Sequence, residues 1–147
     1  MHKILFKAKT VKHRKWVEGS LVVLDEEHMY IVPRHENAST LPVSAIIGYS
    51  AICVDPETVC QYTGLTDKNG KRIFEGDIVI YDNSPYNAYC EPQKGVISWR
   101  NGSLSFKYRP WTSVMYRPLC SDDFFSGKCE VIGNINDNPD LLEVRNG

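Results

Sequence analysis

The stretch DPETVCQYTGLTDKNGKRIFEGDIVIY, residues 55–81, contains a helix start, two turns and a strand in immediate succession. Asp55 is a good N-cap, and Pro56 suits the first helical position, where the missing N–H has no partner in any case. The pattern predicts a turn or two of helix through Val59 and Tyr62. Gly64 is expected to end it, because glycine readily adopts the left-handed conformation that follows a helix.

Two reversals and a buried strand are predicted in the second half of this stretch. The sequence Asp67-Lys68-Asn69-Gly70 carries the Asn-Gly signal of a tight turn in which both central residues need a positive φ. A second turn is predicted at Glu75-Gly76, and residues 77–81 (DIVIY) have the apolar, β-branched composition of a buried strand.

The segments before this stretch are predicted to be mainly strands. Residues 4–8, 16–24 and 28–32 each have strand composition, and the last two form a predicted hairpin. Residues 43–54 (VSAIIGYSAICV) are apolar and β-branched, which predicts one or two short strands broken near Gly48. A helix is the weaker alternative there, because glycine and serine interrupt it.

Short strands separated by turns are also predicted after residue 81. The segments are a loop at 82–94, strands at 95–100 and 103–108 around an Asn-Gly hairpin turn, an irregular stretch at 109–120, a helical turn at 121–127, a closing strand at 129–135 and a terminal helical turn at 138–142. Such closely spaced strands favour a small, strongly bent barrel. Gly76, Gly95 and Gly133 would permit the bends that it requires. The predicted organisation is an N-terminal β lobe at 1–54 and a barrel lobe at 55–147.

Three separated motifs resemble the YopX family of phage and prophage proteins. They are TVCQYTGLTDKNGKRIFEGDIVIY at 58–81, GVISW at 95–99 and EVIGNINDNPDLL at 130–142, and the opening residues 6–19 also resemble that family's start. The resemblance implies a cytoplasmic, phage-encoded, mostly β protein with a small SH3-like barrel in its C-terminal part. It implies no catalytic residues. The chain departs from the family pattern at Cys60, where a small residue is common, and in the segment 84–92, which is particular to this chain.

The charge of the chain is nearly balanced overall but unevenly placed. Net charge is −1, which gives no general attraction to nucleic acid or to an anionic membrane. The first 15 residues contain six of the 17 basic side chains and no acid, so 11 bases face 18 acids in the remainder, or −7. This distribution favours self-association. No apolar run is long enough for a membrane span, and no signal-peptide core is present at the N-terminus.

Residues with metal-binding or catalytic potential do not form a recognisable motif. The five cysteines lack CxxC spacing and the four histidines lack i, i+4 spacing, so neither a metal site nor a disulfide is predicted. Asp67 to Gly70 lacks the alternating carboxylates of an EF-hand. Glu75 and Asp77 are expected to solvate a turn rather than to act as an acid pair. No cofactor is predicted.

An acid-free stretch at 92–121 mixes aromatic and basic residues and is the first candidate contact surface. Leu104, Phe106 and Tyr108 are expected on one face of their strand and Ser105, Lys107 and Arg109 on the other. The simpler interpretation is one face in the core and a solvated cationic face; the alternative is a platform that binds a protein or stacks bases. The candidate contact residues are Arg100, Lys107, Arg109, Trp111, Tyr116 and Arg117.

A second candidate surface is the basic N-terminal segment. Lys12, Arg14 and Lys15 flank a predicted turn and are candidates for phosphate contacts, although such a run is more often a solvated edge. The preferred hypothesis is therefore a non-enzymatic phage accessory protein that binds itself or a host protein. The alternative is a nucleic-acid-binding β-barrel, and a hydrolase or nuclease using Glu75, Asp77 or Asp82 is the third hypothesis.

Overall fold

The computed structural model describes residues 3–34, 42–84, 91–110, 113–119 and 127–143, and they form a mainly β protein. It divides into two compact units, Met1–Tyr62 and Thr63–Gly147. The strands in chain order are β1 Phe6–Lys9, β2 Trp16–Val23, β3 Met29–Val32, β4 Ile52–Val54, β5 Cys60–Thr66, β6 Arg72–Phe74, β7 Asp77–Tyr81, β8 Gln93–Arg100, β9 Ser103–Tyr108, β10 Met115–Pro118 and β11 Cys129–Asn134.

The first unit is built on an antiparallel sheet with the order β4-β3-β2-β1-β5. The predicted hairpin of β2 and β3 is confirmed, with Ser20 opposite Val32 and Val23 opposite Met29. Ala8, Ile31 and Val54 are buried together and form the centre of the core. Apolar side chains on alternate positions of short strands are sufficient to fix this register, because a slip of one residue would expose them.

The prediction of strands alone at 43–54 is wrong for its first two thirds. Residues Val43–Ser50 form the helix α1, and only Ile52–Val54 are a strand. Pro42 precedes α1 in an extended conformation and fixes its start. Gly48 lies on the outside, with no atom within 4 Å of the position of an added Cβ. An exposed glycine lowers helix stability by only about 1 kcal/mol, which packing can offset.

The predicted helix start at Asp55 is confirmed, but the predicted length is wrong. The Asp55 side chain accepts a hydrogen bond from the Glu57 amide, yet the helix is a single 3₁₀ turn, Pro56–Thr58. Extended backbone resumes at Val59, and Cys60 pairs with Lys7 of β1. In the extended conformation the chain forms hydrogen bonds with β1, which it could not form as a helix. Gly64 has a φ of +87° inside β5 rather than at a helix end.

The second unit contains an antiparallel sheet with the order β10-β9-β8-β7-β11. Its core holds Ile73, Val79, Ile97, Phe106 and Cys129, all fully buried. The predicted reversals at Glu75-Gly76 and Asn101-Gly102, the closing strand and a terminal 3₁₀ turn at Pro139–Leu142 are confirmed. Within the described residues the sheet is open between its edges β10 and β11. The SH3-like barrel therefore stays a prediction.

One strand of the second unit lies where an irregular segment was expected. Met115–Pro118 form β10, which pairs with β9 at the edge of the sheet. Two prolines argued against a strand, but Pro118 is the last residue of an edge strand, where a missing amide is tolerated. Residues 121–126 of the predicted helical turn and the candidate contact residue Trp111 lie outside the described residues.

Candidate functional site

The outer face of the second unit's sheet gathers three of the candidate contact residues. Side chains alternate along a strand, so Lys107 lies on the face opposite to the buried Phe106. Tyr116 of β10 lies directly beside Lys107, because the two residues are paired. Arg100 ends β8 one strand further on. The expected core face of β9 is confirmed, since Leu104, Phe106 and Tyr108 all pack in the core cluster. The expected cationic face holds for the exposed Lys107 but not for Ser105, which is buried, or for Arg109, which follows the end of β9.

The Tyr116 ring is the centre of this group, which we call the outer cluster (Arg100, Lys107 and Tyr116). The guanidinium carbon of Arg100 lies 3.7 Å from the ring centroid, and the Lys107 ammonium lies 5.9 Å from it. Both distances are within the range in which a cation is attracted by the negative face of an aromatic ring. The outer cluster is thus a preformed aromatic and cationic surface on rigid strands.

Arg117 lies on the opposite face from its neighbour Tyr116. It is paired with Phe106, and its guanidinium carbon lies 4.8 Å from the centroid of the Tyr81 ring. The sequence grouped Arg117 with Tyr116, but adjacent residues of a strand point in opposite directions. The structure therefore separates the two residues, and Arg117 borders a pocket.

This pocket, which we call the arginine pocket, has a cavity volume of about 620 Å³. In the described part of the chain, two arginines, one carboxylate, two amides and three aromatic rings line it, together with two prolines. The lining residues are Tyr81, Asn83, Glu91, Pro92, Gln93, Phe106, Tyr108, Arg109, Pro110 and Arg117. Of these, Arg109 and Arg117 were candidate contact residues. The amides and Tyr81 were missed, because they lie in or beside a segment that the sequence indicated only as a loop.

The basic N-terminal segment is a fixed loop of the first unit. Thr10 is buried, and its hydroxyl accepts hydrogen bonds from the amides of His13 and Lys15. Arg14 has a φ of 54° and donates a hydrogen bond of 2.7 Å to the Asp55 carboxylate. Lys12 and Lys15 are exposed. Arg14 thus has a structural partner, and the phosphate-binding role of Lys12, Arg14 and Lys15 stays a prediction.

Carboxylates with a perturbed pKa in the described residues lie in turns. The Arg14 guanidinium, followed by the Glu57 amide, holds the pKa of Asp55 below its ordinary value. Hydrogen bonds from Ser84 lower the pKa of Asp82. Asp77 is almost fully buried, and its Oδ2 accepts a hydrogen bond of 2.8 Å from the Phe74 amide. Asp55 and Asp77 thus accept hydrogen bonds from backbone amides, but Asp77 does so as a buried residue at the start of β7 and does not solvate a turn as expected.

The thiols in the described residues are Cys53, Cys60 and Cys129. Burial, reinforced by the charge of Asp67, raises the pKa of the Cys129 thiol to about 12. A thiol with so high a pKa is a poor nucleophile at neutral pH. Across the residues described, no group of three His, Cys, Asp or Glu side chains is placed to hold a metal ion. Likewise, none of the described helices is long and apolar enough to cross a membrane.

Fold and site together define a two-unit, mainly β protein with an aromatic and cationic sheet face. The family model described as YopX protein matches residues 5–143, and the chain belongs to the YopX family. A solved structure, the crystal structure of protein EF1440 from Enterococcus faecalis, is 24% identical, with a TM-score of 0.52 over 97% of this chain and 100% of the other. That likeness concerns the fold alone. No curated protein matches the chain.

Proposed function

We propose that this protein acts by binding, without catalysis, as a phage or prophage accessory protein in the bacterial cytoplasm. The contact surface is the outer cluster, and the partner is a second copy of the chain or a host protein. The observation that carries the proposal is the Arg100 guanidinium held 3.7 Å from the centroid of the Tyr116 ring. Arginine and tyrosine are enriched at the energetic centres of protein interfaces.

Preorganisation supports this role. Ordering a long side chain on binding costs roughly 0.5–1.5 kcal/mol, and the contact with the Tyr116 ring already restricts Arg100. The strands beneath hold the group rigidly, since β8, β9 and β10 pair along their lengths. Self-association is the first choice of partner, because the 18 acids outside residues 1–15 outnumber the bases there, and a second copy therefore offers acidic surface to the cationic outer cluster.

A nucleic-acid partner is the second candidate, supported by the same combination of aromatic and basic side chains. Two observations rank it lower. Arg100 covers one face of the Tyr116 ring, where a base would otherwise stack. The net charge of −1 also gives little of the general electrostatic attraction on which such binding depends.

Light scattering over a range of concentrations tests the proposal with Tyr116→Ala and the control Tyr49→Ala. Tyr49 is 94% exposed in the first unit, so its removal leaves the outer cluster intact. We expect an oligomer that weakens at least about tenfold in the Tyr116 variant and stays unchanged in the control. If the wild type is monomeric, capture from host lysate with and without nuclease, repeated with both variants, tests the other partners. Equal behaviour of both variants in both assays would refute the role of the outer cluster.

A further inference from the structure

The arginine pocket has the dimensions and lining of a site for a small organic ligand. Sites for such ligands are typically about 300–1,000 Å³, and this one is about 620 Å³. It lies on the other face of the sheet from the outer cluster, because Arg117 and Tyr116 are neighbours on one strand. A function for this pocket is therefore independent of the function proposed for the outer cluster.

The floor of the pocket is aromatic. Phe106 is fully buried, and the Tyr108 ring stacks on it with centroids 5.0 Å apart and planes inclined by 12°. Tyr81 lies at a tilt to Phe106, with centroids 6.2 Å apart. Tyr108 is only half-buried and forms part of the pocket wall. A flat ring entering the pocket would extend an existing stack, which is a favourable arrangement for aromatic groups.

The charges of the pocket favour an anion. Among the lining residues that the structure describes, Arg109 and Arg117 contribute two guanidinium groups against the carboxylate of Glu91, which leaves one net positive charge. Guanidinium groups bind phosphate oxygens through paired, charge-assisted hydrogen bonds. Arg117 is oriented by its contact with the Tyr81 ring, so a cation is fixed beside the aromatic floor.

The amides of the pocket supply hydrogen-bonding groups for the edge of a ring. Asn83 Oδ1 is buried and accepts no hydrogen bond from any of the residues that the structure describes. A buried acceptor without a donor is unfavourable, and a ligand N–H would remove that penalty. Gln93 provides a second amide, whose Nε2 donates to the Glu91 carbonyl at 3.2 Å.

We propose that the arginine pocket binds a nucleotide, with the base against Tyr108, an N–H of the base on Asn83 Oδ1, and the phosphate on Arg109 and Arg117. A nucleotide combines a flat ring, N–H donors and an anion, so it uses all three features. An acidic peptide would satisfy the arginines but would leave the aromatic floor and the Asn83 amide unused. The nucleotide is either a free mononucleotide or the 5′-phosphorylated end of a single strand.

Calorimetric titration of the full-length chain tests the assignment with adenosine 5′-monophosphate, adenosine, inorganic phosphate and an acidic tetrapeptide. We expect the monophosphate to bind more tightly than the other three probes. Arg109→Gln is expected to weaken it about tenfold or more, because a charge-assisted phosphate contact is lost. Arg34→Gln, the same substitution at an exposed arginine of the first unit, is expected to leave the affinity unchanged. Melting curves of both variants check that each is folded.

A short single-stranded oligonucleotide with and without a 5′ phosphate separates the two sources. Preference for the phosphorylated strand over the mononucleotide would assign the pocket to strand ends, and the reverse preference to free nucleotides; both support the proposal. It is overturned if the monophosphate gives no binding up to millimolar concentration, if phosphate or the peptide binds as tightly, or if both arginine variants lose affinity equally. Asn83→Leu adds a check, because it should weaken the monophosphate and leave phosphate binding unaffected.

Discussion

Two Asn-Gly dipeptides of the second unit fold into different turns, although their sequences are the same. Asn101 and Gly102 both have a positive φ, 50° and 79°, and join directly paired strands, with Arg100 opposite Ser103. At the other turn Gly70 has a φ of 79°, but Asn69 is not among the residues with a positive φ. The dipeptide alone therefore does not determine the turn.

The residue that makes the difference is Asp67. Its Oδ1 accepts hydrogen bonds of 2.9 Å from the amides of Asn69 and Lys71, and its Oδ2 accepts one of 3.0 Å from Val131 of β11. Asp67 is only 5% exposed. The carboxylate thus sets the path of the turn and ties it to a strand more than sixty positions away. A local signal predicts that a turn forms, and a flanking side chain selects which one.

Removing the Asp67 carboxylate should lower the free energy of unfolding more than any other change to the two turns. Asp67→Ala leaves three amides without their acceptor, and we expect a loss of about 3 kcal/mol in the free energy of unfolding, measured in urea. Asp82→Ala is the matched control, since Asp82 Oδ1 bonds only locally, at 2.8 Å to the Ser84 amide. Its expected cost is much smaller, because a local hydrogen bond at a turn is all that is lost. Equal losses would show that the link to β11 contributes nothing.

The stabilisation of the fold by the Asp67 carboxylate should depend on pH. Burial alone would raise the pKa of Asp67, but hydrogen bonds from the amides of Val131, Lys71 and Asn69 outweigh it and lower the pKa below 3.8. A lowered pKa in the folded state means that the stabilisation is complete above the unfolded value and disappears as pH falls through the folded one. The stability difference between the wild type and Asp67→Asn should therefore shrink below about pH 4. A difference that is constant between neutral and acid pH would contradict this.

The fold is predictable where short-range signals act alone. Asn101-Gly102, the Asp55 cap and the apolar run of β7 each gave the correct local structure. The errors arise where long-range pairing decides. Pairing with β1 extends the chain after Thr58, and pairing with β9 makes a strand of Met115–Pro118 despite its proline. Glycine and serine in α1 misled for a different reason, because an exposed turn of helix tolerates them.

The candidate site was predictable only in part for a related reason. Composition identified Arg100, Lys107 and Tyr116, but their contact depends on the register of β10 against β9. The same register places Arg117 on the other face, with residues that a linear pattern cannot associate with it. Asn83 and Gln93 carried no signal in the sequence, because amides in a loop are common and only the fold brings them to a shared pocket.

Substitution of the glycines of the two turns should cause the next largest loss in the free energy of unfolding. Gly70→Val and Gly102→Val should each cost about 2 kcal/mol, because a β-branched residue is unfavourable at positive φ. No atom lies within 4 Å of an added Cβ at either position, so the penalty is conformational in both and should be nearly equal. Gly48→Val is the control: its position is equally open but helical, and little change is expected. Urea unfolding of all three variants measures the change in the free energy of unfolding. If Gly70→Val causes no loss, residue 70 does not have the positive φ assigned to it and the predicted turn is wrong.

Substitution of the two asparagines should cause the smallest loss in the free energy of unfolding. It also distinguishes the two turn conformations most directly. Asn101→Ala puts alanine at a φ of 50° and should cost about 1 kcal/mol, since asparagine tolerates the left-handed region better. Asn69→Ala should cost close to nothing. The φ of Asn69 is ordinary, and its backbone N–H, which the substitution keeps, donates the hydrogen bond to Asp67. Paired urea curves resolve such a difference. Equal costs would mean that both dipeptides adopt the same turn, and the role given to Asp67 in selecting it would then be wrong.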